Sequence, residues 1–313
     1  HHRKPMRYFI LIICLVLLTS LSGHEKPSPF LEDILQEFPN VRDLTLIENE
    51  AFFTAQSPLG EVSVIMVSRK IRNKWRKPEI TSFSGSHSDL EPFLSSNGRQ
   101  LYFASNRPLS SDSSKVKDYD LWMVQRDDSK SKWSHPINLG APVNTEHHEF
   151  YPSLTQEGTL YFTSDGPDSK GKDDIFYSTR TGNNFGPPIS LSDSINTPGY
   201  EFNAFIAPDE SYLLFSGYNR EDGLGSGDLY ISFRKADKTW TEAENLGPDF
   251  NSKYMDYCPF VDTKSQMLYF TSRRSNVKFK AGGFTSAKTL LKELNKPSNG
   301  QSRLFQAHFK IQE

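Results

Sequence analysis

The residues of this chain best suited to chemistry recur at a fixed register. An acidic side chain stands three positions before a proline at Asp89/Pro92, Glu149/Pro152 and Asp256/Pro259, and Glu201/Ala204 is a variant of the same element. His87 and His147 stand five positions before their prolines, with His148 beside the second. Carboxylates and imidazoles converging on one place are the ligand types of a divalent-cation site, and paired carboxylates hydrolyse glycosides. The sequence therefore nominates Asp89, Glu149, Glu201, Asp256, His87 and His147 as a ligand-binding mouth. His87, His147 and Glu149 are its candidate metal ligands, a divalent ion being the sole cofactor the pattern suggests. The competing reading is structural: a repeated acid can hydrogen-bond the backbone of a neighbouring unit.

Other signals are plainer. Asp120, Asp174 and Asp228 read as acceptors of backbone N–H groups in a turn, with Arg107 as an ion-pair partner. Trp75, Trp133 and Trp240 read as packing residues, not sugar platforms. The 222–228 loop (Asp-Gly-Leu-Gly-Ser-Gly-Asp) has the composition of a calcium loop without the ligand spacing of a helix–loop–helix site. No nucleophile elbow, HExxH zinc motif, phosphate-binding loop or sialidase-type Asp-box occurs, so no residue is nominated as catalytic.

The elements that must position these residues are repeats. The triplet Leu101-Tyr102-Phe103 returns as Leu160-Tyr161-Phe162, Leu213-Leu214-Phe215 and Leu268-Tyr269-Phe270, at spacings of 59, 53 and 55. Each triplet follows an acidic element. After it come Asp120-Leu121-Trp122, Asp174-Ile175-Phe176 and Asp228-Leu229-Tyr230, each with an arginine six residues beyond the Asp (Arg126, Arg180, Arg234). A fourth marker closes the unit: Trp75…Pro78, Trp133…Pro136, Phe185…Pro188 and Trp240…Ala243. Four short aromatic and β-branched runs per unit, bounded by turn residues, predict four strands A to D. One such sheet cannot bury both faces, whereas radially packed copies can, so the fold class is an all-β propeller.

These markers resemble the TolB-type, WD-repeat-like propeller family over residues 41 to 313. The resemblance implies an exported bacterial propeller and an interaction role more than catalysis. Five blades are counted, with six as the alternative because rings of that family usually have six. Blade 1 is degenerate, built on Ala51-Phe52-Phe53 and Ser63-Val64-Ile65. Blade 5 uses Arg303-Leu304-Phe305 and carries an insertion from Arg274 to Ser302, in which Thr285-Ser286 is expected to cap a short helix through Leu294. No fourth strand is legible for blade 5, so residues 24–40 are expected to close the ring, as a strand or a capping helix.

In an up-and-down meander the acidic starts of the A strands share one face with the long B–C loops, where function concentrates. The first 23 residues read as an extension and a secretory signal peptide: Arg7, an apolar run from Tyr8 to Leu18, then small residues. Their removal takes Cys14 and three cations, leaving 33 basic against 38 acidic residues and Cys258 as the sole thiol. A periplasmic, cell-surface or secreted location is expected, without a membrane span once the leader is gone. With 36 Lys and Arg against 38 Asp and Glu and no basic block, nucleic acid is excluded as a main partner. The expectation is a monomeric, non-catalytic propeller that binds a protein or glycan through its acidic face. The alternative is a carbohydrate-active enzyme, a glycoside hydrolase or lyase, with carboxylates at the channel mouth.

Overall fold

A computed structural model describes residues 26–110 and 116–311. The proposed leader at residues 1–23 lies outside them. Among the described residues, no helix is long and apolar enough to cross a membrane.

Five antiparallel blades surround a central channel. Their innermost strands A are Asn40–Ile47, Asp89–Leu94, Glu149–Leu154, Tyr200–Ile206 and Asp256–Asp262. Strands B are Glu50–Gln56, Gln100–Ser105, Leu160–Ser164, Tyr212–Tyr218 and Met267–Ser272, and strands C begin at Ser63, Asp120, Asp174, Gly227 and Arg303. Two-residue outer strands complete blades 1 to 4. The fourth strand of blade 5 is Ser28–Pro29, paired with Gln306 and Phe305, so a segment that precedes blade 1 closes the ring. The helix Glu32–Leu35 follows at once, so strand and cap are both present. The insertion carries the helix Ala287–Leu294, capped by Ser286, whose side chain accepts the Thr289 N–H.

The sequence markers have physical roles. The aromatic triplets are B strands pressed between neighbouring blades; Phe53, Phe103, Phe162, Phe215 and Phe270 are essentially inaccessible. Burying such a ring contributes about 1.5–3 kcal/mol, so each ring anchors the core between its blade and the next. The third and fourth markers are a single device: the guanidiniums of Arg126, Arg180 and Arg234 lie over the rings of Trp133, Phe185 and Trp240 at 4.2, 5.8 and 4.8 Å. The tryptophans are thus braces of the outer strand, as expected.

Every A strand contains a bulge. The register shifts after Arg42, Leu90, Phe150, Phe202 and Tyr257, and the next residue is left-handed: Asp43, Glu91, Tyr151, Asn203 and Cys258, with φ between 47° and 61°. The proline of the acidic element follows the left-handed residue in blades 2, 3 and 5. It has no N–H to leave unpaired at the bulge and it disfavours a right-handed helical residue before it.

Candidate functional site

The bulges decide which side chains meet at the axis, and they are not the acids singled out by the repeats. Asp89 accepts hydrogen bonds from Ser84, Ser105 and Arg107, and Asp256 from Ser252, Ser272 and Arg274. Glu149 and Glu201 fold back onto Thr145 and Thr197, four residues earlier. All four acids are 0% exposed. Each is engaged within its own blade and not gathered with the others at the channel, which corrects the expectation of a shared acidic mouth. His87 is exposed and His147 half-buried. Among the described residues no three His, Cys, Asp or Glu side chains come together to hold a metal ion, so His87, His147 and Glu149 do not form the expected set. Asp174 and Asp228 do accept backbone N–H groups, from residues 170–171 and 224–225. Asp120 instead receives Lys117 and Asn138, and Arg107 pairs with Asp89.

Two residues beyond each marker acid, the left-handed positions converge on the axis. Arg42 donates from Nε to Asp43 at 2.6 Å and from a terminal nitrogen to Glu91 at 2.8 Å. The Cys258 thiol donates to Asp43 Oδ1 at 2.8 Å, and Asn203 Nδ2 donates to Glu91 at 3.3 Å. The two carboxyls therefore share one guanidinium. Arg42 also lies 5.2 Å from the centre of the Tyr257 ring. Asp43 Oδ2 is buried and has no hydrogen-bond partner among the described residues.

The repeat pattern explains how Glu91 is aimed. In four blades a hydroxyl follows the aromatic triplet and accepts the bulge N–H of the next blade. Thr54 takes Glu91 N–H, Thr163 takes Asn203, Ser216 takes Cys258 and Thr271 takes Asp43, at 3.1 to 3.3 Å. In blade 2 that position is Ala104, and the Tyr151 N–H goes to Glu91 Oε2 at 2.8 Å. One missing hydroxyl recruits a carboxylate to the axis.

Electrostatics follow from this packing. Burial pushes the Glu91 carboxyl up to about 7; Arg42 opposes the rise, Asp43 adds to it, and the Tyr151 and Asn203 donors oppose it. Burial opposes the Arg42 charge, but the carboxyls beside it outweigh burial and hold the guanidinium charged. Burial and then the nearby Asp43 push the Cys258 thiol well up, so it is a protonated donor and not a reactive thiolate. Of the ion-paired side chains Arg42 is 17% exposed against 5% for Glu91 and 0% for Asp43, so an incoming ligand meets Arg42 first. The half-buried rings of Phe150 and Phe202 flank the cluster from the loop-rich face. On the tight-turn face the channel holds about 190 Å³ of space among Leu46, Phe93, Leu154, Phe205 and Phe260, with Glu48, Asp262 and Lys264 also in its lining.

Sequence reasoning passed over Asp43, Glu91, Tyr151 and Asn203 and read Cys258 only as the lone thiol. The signal was available as five unlike residue types at one position of repeats that otherwise agree.

No family model matches the chain, and no curated protein does. Solved structures share its shape. An endo-arabinase from Bacteroides thetaiotaomicron aligns with TM-score 0.55 at 15% identity, covering 92% of this chain and 99% of its own. A glycoside hydrolase aligns at 0.54 and 8%, covering 87% and 88%. An α-L-arabinofuranosidase from Lactobacillus brevis aligns at 0.50 and 13%, covering 89% and 98%. The likeness is one of fold, a five-bladed propeller. Against the expectation of a non-catalytic module stands the finding that these three solved chains, alike nearly end to end, are named as carbohydrate-active enzymes.

Proposed function

We propose that this propeller is an exported glycoside hydrolase whose reacting groups are Glu91 and Asp43 at the channel axis. The observation that carries the reading is the shared guanidinium: two carboxyls on Arg42, one of them pushed up to about 7. A carboxylic acid that keeps its proton near neutrality beside a second carboxylate is the pairing that glycosidic cleavage uses. Glu91 gives its proton to the glycosidic oxygen as the bond to the anomeric carbon breaks. Asp43, through its unpartnered Oδ2, either takes a proton from the attacking water or attacks the anomeric carbon itself and is released by water. Arg42 yields to the sugar hydroxyls on entry, with Phe150 and Phe202 as apolar walls.

Arabinans are the first substrates to try, because an endo-arabinase and an arabinofuranosidase share the fold. Reducing-sugar release should appear in a panel of arabinan and other plant polysaccharides. Glu91→Gln should lower it by roughly 10²-fold or more, the scale of general-acid catalysis. Activity should fall as pH rises through about 7, where Glu91 loses its proton. Silence across the panel, or full activity in Glu91→Gln, overturns the reading.

A further inference from the structure

Blades 2, 4 and 5 each contain an arginine that completes the brace around the marker acid. Arg107 donates to Asp89 and to the Phe83 carbonyl, at 2.6 and 3.0 Å, and its Nε donates to Ser105 Oγ at 2.9 Å. Arg274 repeats this on Asp256, the Phe250 carbonyl and Ser272, at 2.9, 2.8 and 2.8 Å. Arg220 reaches Glu201 at 3.2 Å and the Ile195 carbonyl at 3.5 Å from one residue further along. Each guanidinium also covers two rings: Phe103 and Trp122, Phe215 and Tyr230, or Phe270 and Phe305, at 4.6 to 5.9 Å. Blade 1 has Val41 in place of the acid and needs no cation.

Blade 3 keeps the receptor and lacks the arginine. Its acid is Glu149, its serine Ser164, and its carbonyl six residues before the acid belongs to Val143. Its rings are Phe162 and Phe176, 6.0 Å apart and inclined at 26°, close to the 5.7 Å and 23° of Phe215 and Tyr230. The residue equivalent to Arg107 and Arg274 is Gly166, whose N–H donates to Ser164 Oγ at 3.1 Å as those arginines' N–H groups do to their serines. A cavity of about 280 Å³ opens there, lined by Val143, Glu149, Phe162, Ser164, Gly166 and Phe176 among others. This is near the lower end of the roughly 300–1,000 Å³ of small-ligand pockets.

We propose that this cavity binds a guanidinium group supplied from outside the chain. A planar cation with fixed N–H directions suits a carboxylate, a hydroxyl and a carbonyl placed over stacked rings better than an ammonium does. With no internal cation, burial pushes the Glu149 carboxyl up to about 7; the Thr145 hydrogen bonds oppose the rise and Asp120 and Asp118 add to it. The site is separate from the axial carboxyls and does not depend on the proposed hydrolysis.

Agmatine and an acetylated, amidated arginine tripeptide, titrated at pH 8 against cadaverine at equal ionic strength, test the site by calorimetry and thermal shift. Both guanidinium probes should saturate and raise the melting temperature, with cadaverine at least tenfold weaker. Tighter binding of the tripeptide identifies an arginine side chain of a polypeptide as the source, and equal or tighter binding of agmatine a free small molecule. Gly166→Arg builds the sibling blades' arginine in place. The Gly166 backbone is not left-handed, and the nearest atoms to an added Cβ would be Ser164 Oγ at 3.4 Å and the His147 ring at 3.9 Å, both ordinary contacts. That variant should melt higher and lose agmatine binding by more than tenfold. Equal responses to agmatine and cadaverine in the wild type, or undiminished agmatine binding in a folded Gly166→Arg, overturn the proposal, and the wild-type titration decides even if the variant does not fold.

Discussion

Position 104 shows how much one side chain decides. The other four blades place a hydroxyl after the aromatic triplet, and alanine at this point leaves the Tyr151 N–H to the Glu91 carboxylate. That hydrogen bond favours the charged form of Glu91 and so holds its carboxyl below where burial alone would put it. Ala104→Ser supplies the competing hydroxyl in the register its sibling blades use. Glu91 should then rise beyond about 7, and the basic limb of the activity profile should move to higher pH. A merely structural role for Ala104 would leave that limb in place. Linkage sets the accompanying stability change. Because the folded state raises Glu91 from 4.5 to about 7, its contribution is full below pH 4.5 and is lost as pH rises through about 7. Glu149 acts in the same window, so Glu91→Gln should reduce, without abolishing, the stability lost between pH 5 and pH 8. Urea titrations at the two pH values measure the difference.

At the scale of elements, the blades were readable because strands must alternate, turn and bury rings at a fixed period. Leu-Tyr-Phe triplets, Asp-Leu-Trp starts and the Thr285-Ser286 cap all specify local structure with local residues. The axial cluster left only an indirect sign, unlike residues at one repeat position, because a bulge changes where a side chain points without changing the periodicity that announces the strand. Counting alternation from Asp89 or Glu149 gives no warning that the next left-handed residue reaches the axis. The proline after it is the one local trace of that turn. The blade 5 insertion makes the opposite point, since its sequence reads clearly as a helix yet contributes little. Only Glu293 of that helix is buried, and Leu291 and Leu294 are half exposed. Its attachments include the Lys278 N–H and Lys296 contacts to Glu293, the Asn299 amide on the Leu294 carbonyl and the Ser275–Asn299 bridge at its base. Replacing residues 277–298 by a short glycine-containing turn removes little buried apolar area and shortens a loop, which entropy favours slightly. The melting temperature should change by less than about 4 °C, roughly the effect of 1–2 kcal/mol in a protein of this size. A larger fall in a scanning-calorimetry trace would show the insertion to be part of the core.

The whole ring is held shut by the first described residues, and that closure reaches the site. Ser28 and Pro29 supply the outer strand of blade 5, and Phe30 then packs edge-on against Tyr269 of blade 5 at 4.8 Å and Trp75 of blade 1 at 6.1 Å. Leu35 is 2% exposed, and the Pro39 carbonyl accepts from Arg303 at 2.7 Å. The next strand, Asn40–Ile47, is the one that carries Arg42 and Asp43, and its Val41 N–H bonds to Ser302 of blade 5. Removing residues up to Pro39 exposes Phe30's partners and the edge of Arg303–His308, a row of unpaired backbone groups. Two apolar side chains at about 1.5–3 kcal/mol each, with the lost strand pairing, put the cost near 5 kcal/mol. At roughly 2–4 °C per kcal/mol, the melting temperature should fall by about 10–20 °C, with aggregation at the exposed edge. The same deletion loosens blade 1 against blade 5, and with it the Cys258–Asp43 contact and the shared guanidinium. Polysaccharide hydrolysis should therefore fall at temperatures where the truncated protein is still folded by circular dichroism. A peptide of residues 26–39 added in trans should restore part of both, since the groove it leaves is complementary to it. An unchanged melting curve would mean that the ring does not depend on this strand for closure. Full activity in a destabilised ring would mean that the axial cluster is held by the bulges of blades 2 to 5 without support from the seam.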